Sequence, residues 1–314
     1  MISKIKKIGI ALAIYNPNLN LLERQLKSII SQLYTNWVCV LSVDEDRDNV
    51  LINESILSLI DNQNFFIYRN KVPYGYPKNF VFASETLLLD FNPDAIAFCD
   101  QDDFWRKDKL LILVRIMNEE SSSMVHSDAK LVNINNKTIS SKSLWEKESR
   151  NPTHSFFHQV VIRNIVAGAT ALIRTSHIKD NIKIPQDVCF HDHWYAAVCA
   201  KVNKISYTKE LLNNYSQHDG NLYGNSEISN IISREDISTN IFSKSLKRYQ
   251  ISKDLAKNVL MNRSSTIIEY VLFKTRLDLG LLSFFLFLKA IPTDRGLARA
   301  YLSFTIGKIV SLFV

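Results

Sequence analysis

Four short apolar runs, IGIALAI (8–14), WVCVLSV (37–43), FFIY (65–68) and DAIAFC (94–99), are separated by segments of helical pattern. This alternation constrains the fold more than any other feature of the chain. Residues 19–33 place Leu22, Leu26, Ile29, Ile30 and Leu33 on one stripe, and Phe80, Ala83, Leu87 and Leu88 form another. Strand, helix, strand in this order predicts a mostly parallel sheet flanked by helices, because short right-handed crossovers pack each helix back on the sheet.

In such a sheet, ligands bind beyond the carboxyl ends of the strands. The first run leads into Tyr15-Asn16, the second into Asp44-Glu45-Asp46 and Asp48, and the fourth into Asp100-Gln101-Asp102-Asp103. Carboxylates gathered at adjoining strand ends repel one another unless a cation sits among them, which a divalent metal would supply. DQDDFW has a plainer reading as an acidic turn before a helix beginning near Lys107. Its functional reading is a hard-cation site using one or two carboxylates and sharing the ion with a diphosphate.

Composition narrows the classes. With 314 residues, 46% hydrophobic and 22% charged, the chain is a folded protein of about two domains. Its 8 glycines form neither a G-x-G-x-x-G nor a P-loop pattern. Cys39, Cys99, Cys189 and Cys199 lie in apolar stretches without a C-x-x-C pair, as expected of reduced, buried thiols in the cytosol. MISKIKK before IGIALAIY imitates a signal peptide, yet Asn16-Pro17 and a helical pattern follow, so it reads as a buried first strand.

Charge is uneven. Residues 241–314 carry 12 Lys+Arg against 4 Asp+Glu, a balance of +8, whereas residues 1–240 balance at −1. A near-neutral body with a basic, aromatic-rich tail predicts an anionic membrane surface as partner, not nucleic acid. The texture changes near residue 226, which divides the chain into 1–225 and a helical C-terminal extension, 226–314. Apolar runs in that tail, LGLLSFFLFLKA among them, are shorter than the ~20 residues that span a bilayer. They suit the membrane interface, or equally a helical subdomain that packs on the body or forms a homodimer.

The ordered set IYNPN, SQLYTNW, SVDEDRDN, NKVPYGYPKN, FCDQDDFWRKDKL, VAGAT, HDHW and YSQHDGN resembles bacterial family 2 glycosyltransferases of the GT-A fold, nearest the rhamnosyltransferase branch of cell-surface polysaccharide synthesis. The resemblance spans about residues 5–225. It implies a metal-binding Asp102, an Asp100 beside the ribose with Gln101 next to it, and Tyr15 and Asp44 at the nucleotide base. It also implies Lys78 and Asn79 lining the nucleotide side, Asp192 as catalytic base, and His218 near metal and diphosphate. The cofactor implied is Mn²⁺ or Mg²⁺. The donor implied is a nucleotide-sugar, dTDP-L-rhamnose or a UDP-hexose, and the acceptor a glycan or lipid-linked glycan at the inner face of the membrane. The family usually has D-D-G-S-x-D after the second strand. Here Val43 and Glu45 replace its first Asp and its Gly, while Asp44 and Asp48 keep register, which leaves the choice of uracil or thymine open.

The chemistry this implies is a single displacement with inversion. A metal at Asp102 stabilises the departing diphosphate, and one carboxylate base, Asp192, takes the acceptor proton. Two rival functions fit the residues less well. A sugar nucleotidyltransferase would need a Gly-rich loop after the first strand, and Ile14-Tyr15-Asn16-Pro17 has none. A non-catalytic scaffold has no use for Asp102, Asp192 and His218 aimed at one cleft. Histidines two apart in HDHW face different sides of a helix, against a zinc site, and Trp105 and Trp194 read as core or as stacking platforms.

Overall fold

In a computed structural model, the structure describes residues 4–44, 54–61, 64–185, 190–202 and 204–218, with 252, 254, 255, 258, 259, 301, 302, 305 and 306 beyond them. The elements run β1 (Ile8–Tyr15), α1 (Leu19–Ile30), β2 (Trp37–Asp44), α2 (Glu54–Ile60), β3 (Phe65–Arg69), α3 (Lys78–Thr86), β4 (Ala95–Cys99), β5 (Phe104–Trp105) and α4 (Lys109–Glu119). They continue with β6 (Met124–Val132), α5 (Leu144–Glu148), α6 (Phe157–Ile162), β7 (Ala171–Arg174), α7 (Thr175–Ile178), α8 (His191–Val202) and β8 (Ile205–Ser216).

Among the described residues, eight strands form one sheet in the order β3-β2-β1-β4-β7-β6-β8-β5. The first four pair in parallel, as the alternation predicts. Beyond β4 the sheet is mixed: β7 is antiparallel to both β4 and β6, β8 runs parallel to β6, and β5 is antiparallel to β8. The last strand, β8, is 12 residues long and runs on to Ser216. Helix α1 stops at Ile30, three residues short of the expected stretch.

Packing follows from side-chain size alternating along the central strands. In β1, Ile8, Ile10, Leu12 and Ile14 enter the cluster under α1 and α4, while Ala11 faces the cluster under α3, α6 and α8. In β4 the sizes reverse: Ala95, Ala97 and Cys99 face the first cluster, Ile96 and Phe98 the second. Large side chains on one strand thus fill the space beside small ones on its neighbour, which is how a close-packed interior avoids voids. Each fully buried Ile, Leu or Phe contributes about 1.5–3 kcal/mol.

The Asn18 side chain accepts from the N–H groups of Asn20 and Leu21 and starts α1. Leu255 and Val259 are buried in the same cluster as α6 and α8. At least this part of the tail therefore covers the body. The boundary expected at residue 226, the +8 tail as a whole and the LGLLSFFLFLKA run lie outside the described residues. No helix among the described residues is long and apolar enough to cross a membrane.

Candidate active site

The register of the parallel half brings the informative ends together. Tyr15 lies opposite Asp44, and Leu12 opposite Cys99, so the turn beginning at Asp100 runs beside the last residues of β1. Gln101 closes this junction: its Oε1 accepts from the Tyr15 N–H at 2.9 Å, and its Nε2 donates to the Tyr15 carbonyl at 3.0 Å. The Tyr15 side chain itself is 63% exposed at the strand end.

Asp44 is buried, with Oδ1 accepting from Asn70 Nδ2 at 2.6 Å and Oδ2 from the Gly75 N–H at 2.7 Å. Gly75 has φ +69°, a conformation that favours glycine. Asn70 also donates to Ser42 Oγ and Asn79 Oδ1, and Asn79 Nδ2 donates to the carbonyls of Ile14 and Ser42. Asn79 is thus a cross-brace between β1 and β2, and Lys78 beside it is exposed. Sequence reasoning gave Asn70 no role, although it opens the NKVPYGYPKN motif directly after a predicted strand. Asp48, with the turn after β2, lies outside the described residues.

On the other side, Asp102 and His218 meet at 2.7 Å, Oδ2 to Nε2, with side chains 18% and 23% exposed. Asp100 is close enough to both Asp102 and Asp192 to feel their charge. Burial, with those two charges, pushes Asp100 up to about 7, against the pull of Lys109. Asp103 is buried and ties the turn to β8, accepting from Asn213 Nδ2 at 2.7 Å and the Ser216 N–H at 3.1 Å. Burial, with Asp100 and Asp102, holds its carboxyl well above the usual range.

Asp192 sits in the first turn of α8. Its Oδ1 accepts from the His193 N–H at 2.7 Å and its Oδ2 from the Gly168 N–H at 3.2 Å. Gly168, in the VAGAT segment, must lack a side chain: a Cβ there would meet His191 Nε2 at 2.7 Å and Asp192 Cβ at 3.4 Å. That close approach lets α8 deliver Asp192 to the end of β4. Asp100 and Asp102 of one turn, Asp192 and His218 are thereby gathered from three distant stretches of chain.

Several candidates prove to be core. Trp105 and Trp194 are wholly buried, so neither offers a face to a sugar, and Trp194 Nε1 donates to the Asn181 carbonyl. His191 stacks on Phe80 at 4.2 Å, and burial pulls it down to about 4. His193 is buried against the Val160 carbonyl at 2.6 Å. The helix after DQDDFW begins at Lys109, two residues later than expected, and Asp108 before it makes no side-chain cap. Burial raises the thiols of Cys39, Cys99 and Cys199, and Cys189 lies outside the described residues.

A carboxylate oxygen and an imidazole nitrogen already side by side are donors that suit Mg²⁺ or Mn²⁺, which keep coordination positions for phosphate oxygens. Among the described residues no three His, Cys, Asp or Glu groups form an all-protein cage. The pair therefore fits an ion that a nucleotide diphosphate would help to hold.

The Glycosyl transferase family 2 profile matches residues 10–180. The dTDP-rhamnosyl transferase RfbG of Shigella flexneri is 28% identical over 210 residues, 65% of this chain and 70% of that protein. The UDP-Glc:alpha-D-GlcNAc-diphosphoundecaprenol beta-1,3-glucosyltransferase WfgD of Escherichia coli is 24% identical over 133 residues, 41% of this chain and 47% of its own length. Among solved structures, residues 1–349 of S. aureus TarS in complex with UDP-GlcNAc superpose with a TM-score of 0.57 at 15% identity, covering 98% of this chain and 92% of that one. The full TarS chain is covered to 44%. The profile takes in more than half of the residues, the sheet has the GT-A architecture, and the chain accordingly belongs to glycosyltransferase family 2.

Proposed function

We propose that the enzyme transfers L-rhamnose from dTDP-L-rhamnose, with inversion, to a lipid-linked surface glycan. The observation that carries the reaction type is the convergence of Asp192 with Asp100, Asp102 and His218 at the end of β4. Support for the sugar comes from similarity to a dTDP-rhamnosyl transferase, and a UDP-hexose is the alternative that similarity to a UDP-glucose enzyme favours.

Asp192 accepts the proton of the acceptor hydroxyl as its oxygen attacks the anomeric carbon, and the bond from that carbon to the diphosphate oxygen breaks. Two N–H donors hold the carboxylate and fix its direction. Asp102 and His218 would hold a divalent ion. When bound, that ion neutralises charge growing on the leaving diphosphate, a contribution of several kcal/mol. Exposed Lys78 lines the nucleotide side, and Asp44 and Tyr15 flank the base, with Gln101 and Asn79 bracing the strands that carry them. Residues 226–314, basic and in part apolar, bring the body to the cytoplasmic membrane face, where a lipid-linked acceptor is presented.

Thermal shift with a panel of dTDP- and UDP-sugars, with and without MnCl₂, tests this reading. Metal-dependent stabilisation by dTDP-rhamnose above the UDP-sugars is expected. A larger shift with UDP-glucose would reassign the donor, and equal shifts in excess EDTA would remove the metal.

A further inference from the structure

The acidic turn after β4 carries three aspartates against the protein interior, and like charges so placed need cations nearby. Two cationic side chains reach it from different helices. Arg24 of α1 donates through Nη2 to the Asp102 carbonyl and to Ser216 Oγ, both at 2.7 Å, and through Nη1 to the Ile134 carbonyl at 2.9 Å. Lys109, the first residue of α4, is wholly buried. Its Nζ lies 3.7 Å from the centre of the Trp105 ring, donates to the Ala169 carbonyl, and feels the charges of Asp103 and Asp100. A buried ammonium is costly, and a methionine would fill the same space without that cost.

Each cation ties the turn to a different segment of the site. Ser216, held by Arg24, stands two residues before His218, the partner of Asp102. Ala169, held by Lys109, follows Gly168, whose N–H holds Asp192. We propose that Arg24 and Lys109 are positioning residues that divide the site between them, Arg24 setting the Asp102–His218 pair for the diphosphate and Lys109 setting Asp192 for the attacking hydroxyl. The inference rests on the roles given to Asp102, His218 and Asp192 under the proposed function. The two residue types suit the two tasks. A planar guanidinium serves several acceptors at fixed angles, whereas an ammonium on a flexible stem can lie over a ring while reaching one carbonyl.

The test compares full-length wild type with Arg24→Met, Arg24→Lys and Lys109→Met. It measures calorimetric binding of dTDP and UDP with MnCl₂, and kcat for nucleoside diphosphate release from the donor that the wild type turns over. Arg24→Met should weaken nucleotide binding about tenfold or more while kcat at saturating donor stays within about threefold. Arg24→Lys, which keeps the charge and loses the fork, should behave like Arg24→Met. Lys109→Met should leave nucleotide affinity within about threefold and lower kcat about tenfold or more. A lower melting temperature with affinity and kcat moving together in both variants, or moving in neither, overturns the division, as does full recovery of binding in Arg24→Lys. If Lys109→Met does not fold, Lys109→Gln takes its place, and failure of both to fold assigns Lys109 a purely structural role and overturns its part. Asp102→Ala and Asp192→Asn run alongside. If they spare binding and turnover, the reading of the site fails; if they behave as proposed while Arg24 and Lys109 do not follow, this inference alone fails.

Discussion

The two sides of the cleft hold their polar groups in different ways. At the ends of β1 and β2, Asp44, Asn70, Asn79 and Gln101 are tied to amides and main-chain groups, a closed, amide-rich lattice around one carboxylate. At the end of β4, carboxylates face one another, and Asp100 is pushed up to about 7 mainly by burial and then by its acidic neighbours. One side is rigid before substrate arrives, which suits recognition of a fixed shape. The other holds charge in tension, which suits a step in which negative charge grows and a proton moves. Histidine follows the same division, because none precedes His126 in the sequence.

The contrast breaks most sharply if the charged side can be neutralised without consequence. Asp192→Asn should lower kcat about 10²-fold or more with nucleotide binding nearly intact, read by turnover at saturating donor and by calorimetry. Asp102→Ala should weaken nucleotide binding and abolish transfer. Full transfer by either variant would erase the distinction between the sides.

Leu255→Ala sharpens the contrast by asking what backs the charged side. Leu255 lies in the cluster that seats α8, so the truncation should cost about 2–5 kcal/mol of stability in urea unfolding. An unchanged midpoint would mean that the tail does not cover the body there.

Asn70→Ala probes the amide-rich lattice. It leaves one oxygen of buried Asp44 without its amide, an expected loss of about 1–3 kcal/mol. Nucleotide binding should weaken less than in Asp102→Ala, and the reverse order would place the main binding determinant on the amide-rich side.

The smallest effect concerns the buried imidazoles. Burial, with Arg150 nearby, pulls His126 down to about 3, whereas an unfolded histidine titrates near 6.5. The unfolded chain then binds more protons in this window, so stability is complete above about pH 6.5 and falls as pH drops toward 3. His126→Phe should flatten part of that slope in denaturation curves at stepped pH. A slope identical to wild type would show that His126 is not buried neutral.

What the residues determined by themselves was local and periodic. The alternation of apolar runs with helical stripes located β1, β2, β3 and β4 to within a residue or two, because a strand buried on both faces and an amphipathic helix are written in neighbouring side chains. The ordered motifs likewise pointed to Asp102, Asp192 and His218, of which Asp102 and His218 meet and Asp192 comes within reach of Asp100. Tertiary structure decided what depends on partners far away in the chain. Asn79 and Gln101 read as ligand contacts, and folding turned their amides inward onto Ile14, Ser42 and Tyr15. The mixed pairing of β6, β7 and β8 was unreadable, since nothing local in a short strand states the direction of its neighbour. Arg24 lies on a helix whose sequence reports only its buried stripe, and its acceptors stand 78, 110 and 192 residues away. Lys109 stands in the charged run Arg106-Lys107-Asp108-Lys109, where nothing local distinguishes it from its neighbours. Its burial exists only once Trp105, Ala169 and the acidic turn close around it, because burial is a property of the assembled fold and not of the residue.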